Sequence, residues 1–296
     1  MLETLSIADC QSALPLPMPD GPLPPGILGR LATQALIDEA NLTPKPGLVD
    51  RNGNGAHHDL SLPLLVRSAH TLEPYFVRMA GCSHEQGIGI PLRERLGALG
   101  REAEQAMLRA TAGVNTHRGA IWALGLLVAA ASQSSTTDAL AITRTAARLA
   151  VLPDAHAPQL PSNGSQVALT YGNGGARAEA QAGFPHVRAG LCALQNARAA
   201  KLAESHARIN ALLTVMTTLE DTCILYRGGP IALAAVQQDA AEALRAGGLA
   251  STGGAEVLRK LHITMLTLWV SPGGSADILA ATLLLDRICS APGTNL

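Results

Sequence analysis

The chain has 296 residues, of which 47% are apolar, enough to bury a core near the upper size limit for a single one. Ala (51) and Leu (46) far outnumber Val plus Ile (25) and the aromatic residues (7). Because β-branched and aromatic residues favour sheets, this composition argues against an all-β or doubly wound protein and for a helical one. With 22 basic and 23 acidic residues the net charge is −1, which leaves no footprint for nucleic acid or an acidic membrane surface.

In chain order, the first ten residues carry two acids and no basic residue, so they do not read as a secretory signal. Six prolines between positions 11 and 26 predict an extended arm over residues 1–26, because proline fixes φ and removes a donor. Residues 27–290 read as one all-α domain, a globular multi-helix bundle with active-site loops at its helix ends, and 291–296 as a tail. The five cysteines are far apart, odd in number and without a CxxC pair. Neither a disulfide framework nor a structural zinc site is indicated, and a reduced, cytoplasmic protein is expected.

The first polar junction runs from Thr43 through Lys45 to Arg51 and on to His57, His58 and Asp59. The second is Gly113–Gly119, with Asn115, Thr116, His117 and Arg118. It leads into an apolar stripe at Ile121, Leu124, Val128 and Ala131 that is too short to span a membrane and reads as a buried helix. The third junction, Tyr171–Glu179, holds Gly174-Gly175 and Arg177. A helical stripe at Leu202, His206, Ile209, Leu213 and Met216 then leads to Glu220-Asp221 and the fourth junction, with Arg227 and Gly228-Gly229. The fifth, Ser271–Asp277, contains Gly273-Gly274. It opens a last helical stripe, Ile278 to Cys289, for which Ser275 is the expected N-cap and Asp277 a first-turn acid.

Three Gly-Gly pairs placed before expected helices, with Arg177 and Arg227 beside two of them, point to a polyanion pocket, since helix starts present unpaired amides. Glycines that merely start and stop helices are the plainer alternative. The carboxylates Asp50, Asp59, Glu179, Glu220, Asp221 and Asp277 lie in the same junctions, and oxygen ligands of this kind suit Mg²⁺ bound together with substrate phosphates. As structural alternatives, Asp277 complements a helix dipole, Asp59 acts as a cap and Glu179 pairs with Arg177. Glu220 and Asp221 follow an apolar stripe, where burial is expected and buried acids need partners. His57, His58 and His117 are candidate acids or bases, while His206 reads as a core residue. Lys45, between two prolines, either aims its amine at a phosphate or forms an exposed turn. P-loop, Rossmann and serine-hydrolase motifs are missing from the sequence.

The segments TPKPGLVDRNGNGAHHD, GVNTHRGAIWALGLL, YGNGGARAEAQAGFP and SPGGSADILAAT together resemble the triphosphoribosyl-dephospho-CoA synthases, from about Glu39 to Asp286. The resemblance is greater to the malonate decarboxylase branch than to the citrate lyase branch. The chain departs from the family pattern at Arg118, where Lys is usual, and at Cys223, where Asn is usual.

The resemblance implies an all-α fold and transfer of the 5-triphosphoribosyl group of ATP to the 2′-hydroxyl of 3′-dephospho-CoA, with release of adenine. The product would be the precursor of a prosthetic group, passed to an acyl-carrier-protein holo-transferase. On this reading Asp59, Asp221 and Asp277 hold Mg²⁺. Lys45, Arg51, Arg118, Arg177 and Arg227 hold phosphates, with His57, Asn115, Thr116, Gly228, Gly229, Ser271, Gly273, Gly274 and Ser275 lining the substrate site. Glu39 or Glu179 is the base, and His117 assists the leaving group. Two other classes remain open from the residues: a Mg²⁺-dependent hydrolase of ADP-ribose-type glycosides, and a non-catalytic helical protein that binds nucleotide or an acyl carrier.

Overall fold

The computed structural model describes residues 21–157, 163–172 and 174–291. Twelve α-helices run through them: α1 (Pro25–Asn41), α2 (Leu62–Glu85), α3 (Ile90–Ala110), α4 (Arg118–Ala131), α5 (Ala139–Ala150) and α6 (Asn163–Tyr171), then α7 (Gly175–Gln181), α8 (Pro185–Ala199), α9 (Glu204–Met216), α10 (Thr222–Arg245), α11 (Thr252–Leu268) and α12 (Gly273–Ser290). The described residues form no strand beyond an isolated bridge between Asp50 and Gly53. The protein is all-α, as its Ala- and Leu-rich composition predicts. Most of the Pro-rich arm, including Pro15, Pro17 and Pro19, lies outside the described residues, as does the tail beyond Ala291. Pro25 and Gly26, expected in the arm, are the first residues of α1.

Local sequence sets the helix starts. Four helices, α1, α2, α3 and α8, carry proline in their first two positions, where its missing amide is not needed. The Asp138, Asp221 and Ser251 side chains cap α5, α10 and α11 by accepting from backbone amides. The last helix departs from expectation. It begins at Gly273 after Pro272, so Ser275 lies inside it and Asp277 beyond its first residues. Ser275 is not its cap, because that hydroxyl is drawn to Asp221 on another helix.

Two helices organise the core. In α4 the buried residues run almost without break from Ala120 to Ala131, and in α12 from Ile278 to Asp286. A helix apolar on all sides belongs at the centre of a bundle, and these two pack against each other, with α12 also touching α1, α8 and α9. One continuous cluster of buried side chains joins them to α2, α3, α5 and α10. Ion pairs fasten the outside: Arg198 grips Asp286 of α12 at 2.7 and 2.9 Å, and Asp38 of α1 receives Arg208 at 2.9 Å as well as Arg287. Because α4 and α12 lie side by side, their starts at Arg118 and Gly273 bring the second and fifth polar junctions together.

Candidate active site

All five junctions open on one cleft of about 1660 Å³. Its wall includes Glu39 from the end of α1, Lys45, His57 and Asp59 from the first junction, Asn115–Gly119 from the second and Gly174–Glu179, Asn173 lying outside the described residues, from the third. Glu220–Cys223 and Arg227 come from the fourth, and Ser271, Gly273, Gly274 and Asp277 from the fifth. Two clusters of charge line it.

The first cluster is rich in carboxylates. Asp221 is 2% exposed and caps α10. Its Oδ1 accepts the amides of Cys223 at 2.9 Å and Gly274 at 3.2 Å, and its Oδ2 accepts the amide and hydroxyl of Ser275 at 2.7 and 2.9 Å. One carboxylate therefore ties the start of α10 to the start of α12. Burial pushes its carboxyl up, and these donors pull it back. Asp277 is different. Burial, then the neighbouring Glu39 and Asp221 charges, push it well above the usual carboxylate range, and the Ala120 amide offsets this only in part. Its carboxylate lies against Gly119, where a Cβ would overlap it. Glu39 is held by the buried Lys45 amine at 2.6 Å, which also donates to the Glu39 carbonyl at 2.7 Å. Lys45 is 1% exposed, so it is a buried partner of Glu39 and not the exposed turn that was its alternative.

Histidines sit beside this cluster as neutral rings. His117, at the N-cap position of α4, is 4% exposed. Its Nδ1 lies 2.9 Å from the Ser68 hydroxyl, itself 2.6 Å from that of Thr116, and its buried Nε2 has no partner. Burial, then the Lys45 charge, lowers it to about 4. His57 is likewise lowered to about 4 by burial, then by Arg227. Its Nε2 lies 2.8 Å from the Ser271 hydroxyl, and Arg227 donates to the Ala56 carbonyl at 2.7 Å. The Cys223 thiol, on an exposed residue of the cleft wall, is pushed up by the protein packed around it and by Asp221 and Asp277, so it stays protonated.

Of the second cluster the sequence reading singled out Arg177 alone. Arg93 and Arg101 of α3 both reach Asp154, at 3.4 and 2.9 Å, and Arg177 of α7 faces the same part of the cleft. Arg93 also lies over the Trp122 ring. Helical spacing makes Arg93 and Arg101 look like an ordinary solvated face, and nothing in their local pattern marks the distant Asp154 as their partner.

Several predicted residues take other places. Arg51 is exposed outside the cleft wall, its guanidinium donating to the Asn41 side chain at 3.4 Å. Gly228 and Gly229 lie within the span of α10, where Gly229, at φ +68° before Pro230, breaks the helix. They do not line the cleft, nor does Ser275. Glu220 is exposed where burial was expected, and Glu179 holds the His186 amide and ring at 2.8 and 2.7 Å, not Arg177. Arg118 pairs with Glu104, Asn115 accepts from the Arg118 amide, and Asp50 staples its own loop through the Lys45 and Asn52 amides.

The donor set does not suit a resident metal. Among the described residues no three His, Cys, Asp or Glu side chains are grouped to hold one. The Asp221 oxygens are filled by amides and a hydroxyl, and Asp59 is exposed beside His57.

Over residues 26–295 the chain matches the CitG family, described as ATP:dephospho-CoA triphosphoribosyl transferase. It is 56% identical over 271 residues to a Pseudomonas fluorescens protein named a probable 2-(5''-triphosphoribosyl)-3'-dephosphocoenzyme-A synthase, a match covering 90% of this chain and 93% of that one. It is 52% identical over 263 residues to the 2-(5''-triphosphoribosyl)-3'-dephosphocoenzyme-A synthase of Klebsiella pneumoniae, covering 88% and 94%. No solved structure matches it.

Proposed function

The chain belongs to the family of ATP:dephospho-CoA triphosphoribosyl transferases, and on that premise we propose that the cleft joining the five junctions is where the transfer takes place. The protein is an enzyme that moves the triphosphoribosyl group of ATP to dephospho-CoA. The convergence of all five junctions on one space is the observation that supports the site. At about 1660 Å³ the cleft exceeds the roughly 300–1,000 Å³ that serves a single drug-sized ligand, in keeping with two nucleotide substrates bound at once.

In this reading the 2′-hydroxyl of 3′-dephospho-CoA attacks the anomeric carbon of the ATP ribose, and adenine leaves. That carbon becomes cationic as the bond breaks, as in glycoside cleavage. A carboxylate facing it stabilises the charge and takes the proton of the attacking hydroxyl. Asp277 suits this role best. It has a raised proton affinity, and its oxygens are not filled by other donors, whereas Glu39 is held by Lys45 and Glu179 by His186. His117 is neutral at working pH, and its unpaired Nε2 assists adenine departure as a hydrogen-bond partner, not as an imidazolium.

Magnesium enters as the counter-ion of ATP and so as part of the substrate, which agrees with a wall that has no preformed metal cage. The product goes on to an acyl-carrier-protein holo-transferase, in the service of malonate decarboxylase, and the reaction is cytoplasmic. No described helix is long and apolar enough to cross a membrane. The test is incubation with ATP, Mg²⁺ and dephospho-CoA, followed by mass analysis. Free adenine and a triphosphoribosyl adduct in equal amounts are expected only when the acceptor is present. Adenine release without the acceptor would make the protein a hydrolase and sink the proposal.

A further inference from the structure

We propose that Arg93, which lies over the Trp122 ring, together with Arg101 and Arg177 forms a polyphosphate subsite that holds the phosphate chain of a substrate away from the carboxylate cluster. The inference deepens the functional reading above and rests on it for the identity of the substrate.

Three observations carry it. First, the wall here holds three guanidinium groups and one carboxylate that reaches two of them. Asp154 is 3% exposed in its side chain and serves both Arg93 and Arg101, while Arg177 has no ion-pair partner among the described residues. Arg93 feels the repulsion of both other guanidiniums, and burial with that repulsion lowers its proton affinity. Like charges held together without enough counter-charge call for an anion from outside.

Second, Arg93 is 8% exposed, yet its buried Nε has no hydrogen-bond partner. A buried donor of this kind normally finds one. Its guanidinium carbon lies 5.1 Å from the Trp122 ring centre, and the Trp122 indole N–H donates to the Ala176 carbonyl at 3.1 Å. Ring and guanidinium are thus fixed before any ligand arrives, and a planar fork held in place suits phosphate oxygens.

Third, of the five basic groups first expected to hold phosphate, all but Arg177 are engaged elsewhere or lie outside the cleft. Lys45 is buried with Glu39, Arg118 pairs with Glu104, Arg227 binds the Ala56 carbonyl, and Arg51 is outside the cleft. Around Asp277 the net charge is negative, so a bare phosphate chain is repelled from the very place where a nascent cation is welcome. Gly97 supports this division. A Cβ there would overlap the Asp154 carboxylate, so glycine on α3 is what lets Asp154 reach in and hold Arg93 and Arg101.

The phosphate chain has two sources, the triphosphate of ATP and the diphosphate of dephospho-CoA. Binding of inorganic tripolyphosphate to the full chain, measured by calorimetry at fixed ionic strength, reads the subsite without any turnover. Arg177→Gln and Arg101→Gln are each expected to weaken it about tenfold or more, with circular dichroism unchanged. Arg93→Lys keeps the charge but loses the fork, and is expected to weaken it as well. Wild-type affinity in Arg177→Gln and Arg101→Gln would overturn the proposal.

Steady-state kinetics then separate the sources. A raised KM for ATP alone assigns the subsite to the triphosphate, and a raised KM for dephospho-CoA alone assigns it to the diphosphate. No change in either would overturn it. Arginine-dependent tripolyphosphate binding in a wild-type chain that transfers nothing would leave the subsite standing and sink the function instead.

Discussion

Gly119 on α4 and Asp277 on α12 are in contact across the interface of the two central helices, and the missing side chain of one makes room for the carboxylate of the other. Gly119→Ala forces that carboxylate to swing aside. The acid is a short, terminal group that moves at little expense, and alanine favours the helix, so the fold should survive. The loss falls on chemistry, where one misplaced electrostatic contact is worth roughly 10²–10³ in rate. A reduced kcat with an unchanged thermal midpoint is the expected result. Full activity would remove Asp277 from the reaction.

Asp277→Asn and Asp221→Asn should separate activity from stability. The raised proton affinity of Asp277 means that the folded chain binds its proton more tightly than the unfolded chain does. Its contribution is fully present below about pH 4 and is lost as pH rises through the folded value. Asparagine resembles the protonated form, so the variant should melt higher than the parent at pH 8 and equally at pH 3.5, while turning over poorly. Asp221→Asn replaces one of the two acceptor oxygens by an amide NH2 that can only donate, facing backbone N–H groups at two helix starts. It should lower stability by about 2–4 kcal/mol, read by urea unfolding. The reverse ranking would contradict the roles argued above.

The two site imidazoles set a sign for pH dependence. His117 titrates at about 4 in the folded chain against 6.5 in the unfolded one. The unfolded state therefore binds more protons between those values, and stability rises with pH from about 4 to 6.5. The swing for this buried ring is about 3 kcal/mol. NMR titration should show its imidazole neutral throughout pH 5.5–8. A titration midpoint near 6.5 would restore it as a proton-donating acid.

Magnesium should be needed for turnover yet bind poorly to the chain alone. Calorimetry with MgCl₂ should show no tight site without ATP, and excess chelator should abolish transfer. Micromolar Mg²⁺ binding to the free protein would mean that the side chains rearrange into a cage absent from the present donor set.

3′-Dephospho-CoA should be preferred to CoA by at least about a hundredfold in kcat/KM. CoA brings a 3′-phosphate of roughly −1.5 to −2 charge beside the attacking oxygen, into the neighbourhood of Glu39, Asp221 and Asp277. Like charges so close cost several kcal/mol, and each 1.4 kcal/mol is about tenfold. Competition at equal concentrations, followed by adduct mass, measures the ratio. Equal adducts would mean that the 3′ position faces solvent.

The helical fold was legible because composition and 3.6-residue stripes report on burial, and burial decides α4 and α12. The junctions were legible because polar residues in a weakly charged chain collect where helices end. What each polar residue does there was less so. Asp221 and Asp277 look alike in sequence, but one is saturated by amides from a helix start 53 residues away and the other is not. Lys45 and Glu39 are each eligible for substrate until the turn folds back and spends them on each other. The Arg93–Asp154–Arg101 group was missed for a related reason. Its members sit 61 and 53 residues apart in sequence, and only the packing of α3 beside the turn after α5 unites them.

Since α12 is both the middle of the core and the last of the described helices, the order of synthesis bears on when activity can appear. Every other wall of the cleft leaves the ribosome first, and chains of this size fold progressively as they emerge. Until α12 arrives, α1, α4, α8 and α9 lack the surface they close upon. The Asp277 carboxylate and the missing centre of the core then come in together. A chain ending before Gly273 is therefore expected to lose the centre of its core and the Asp277 carboxylate in one stroke.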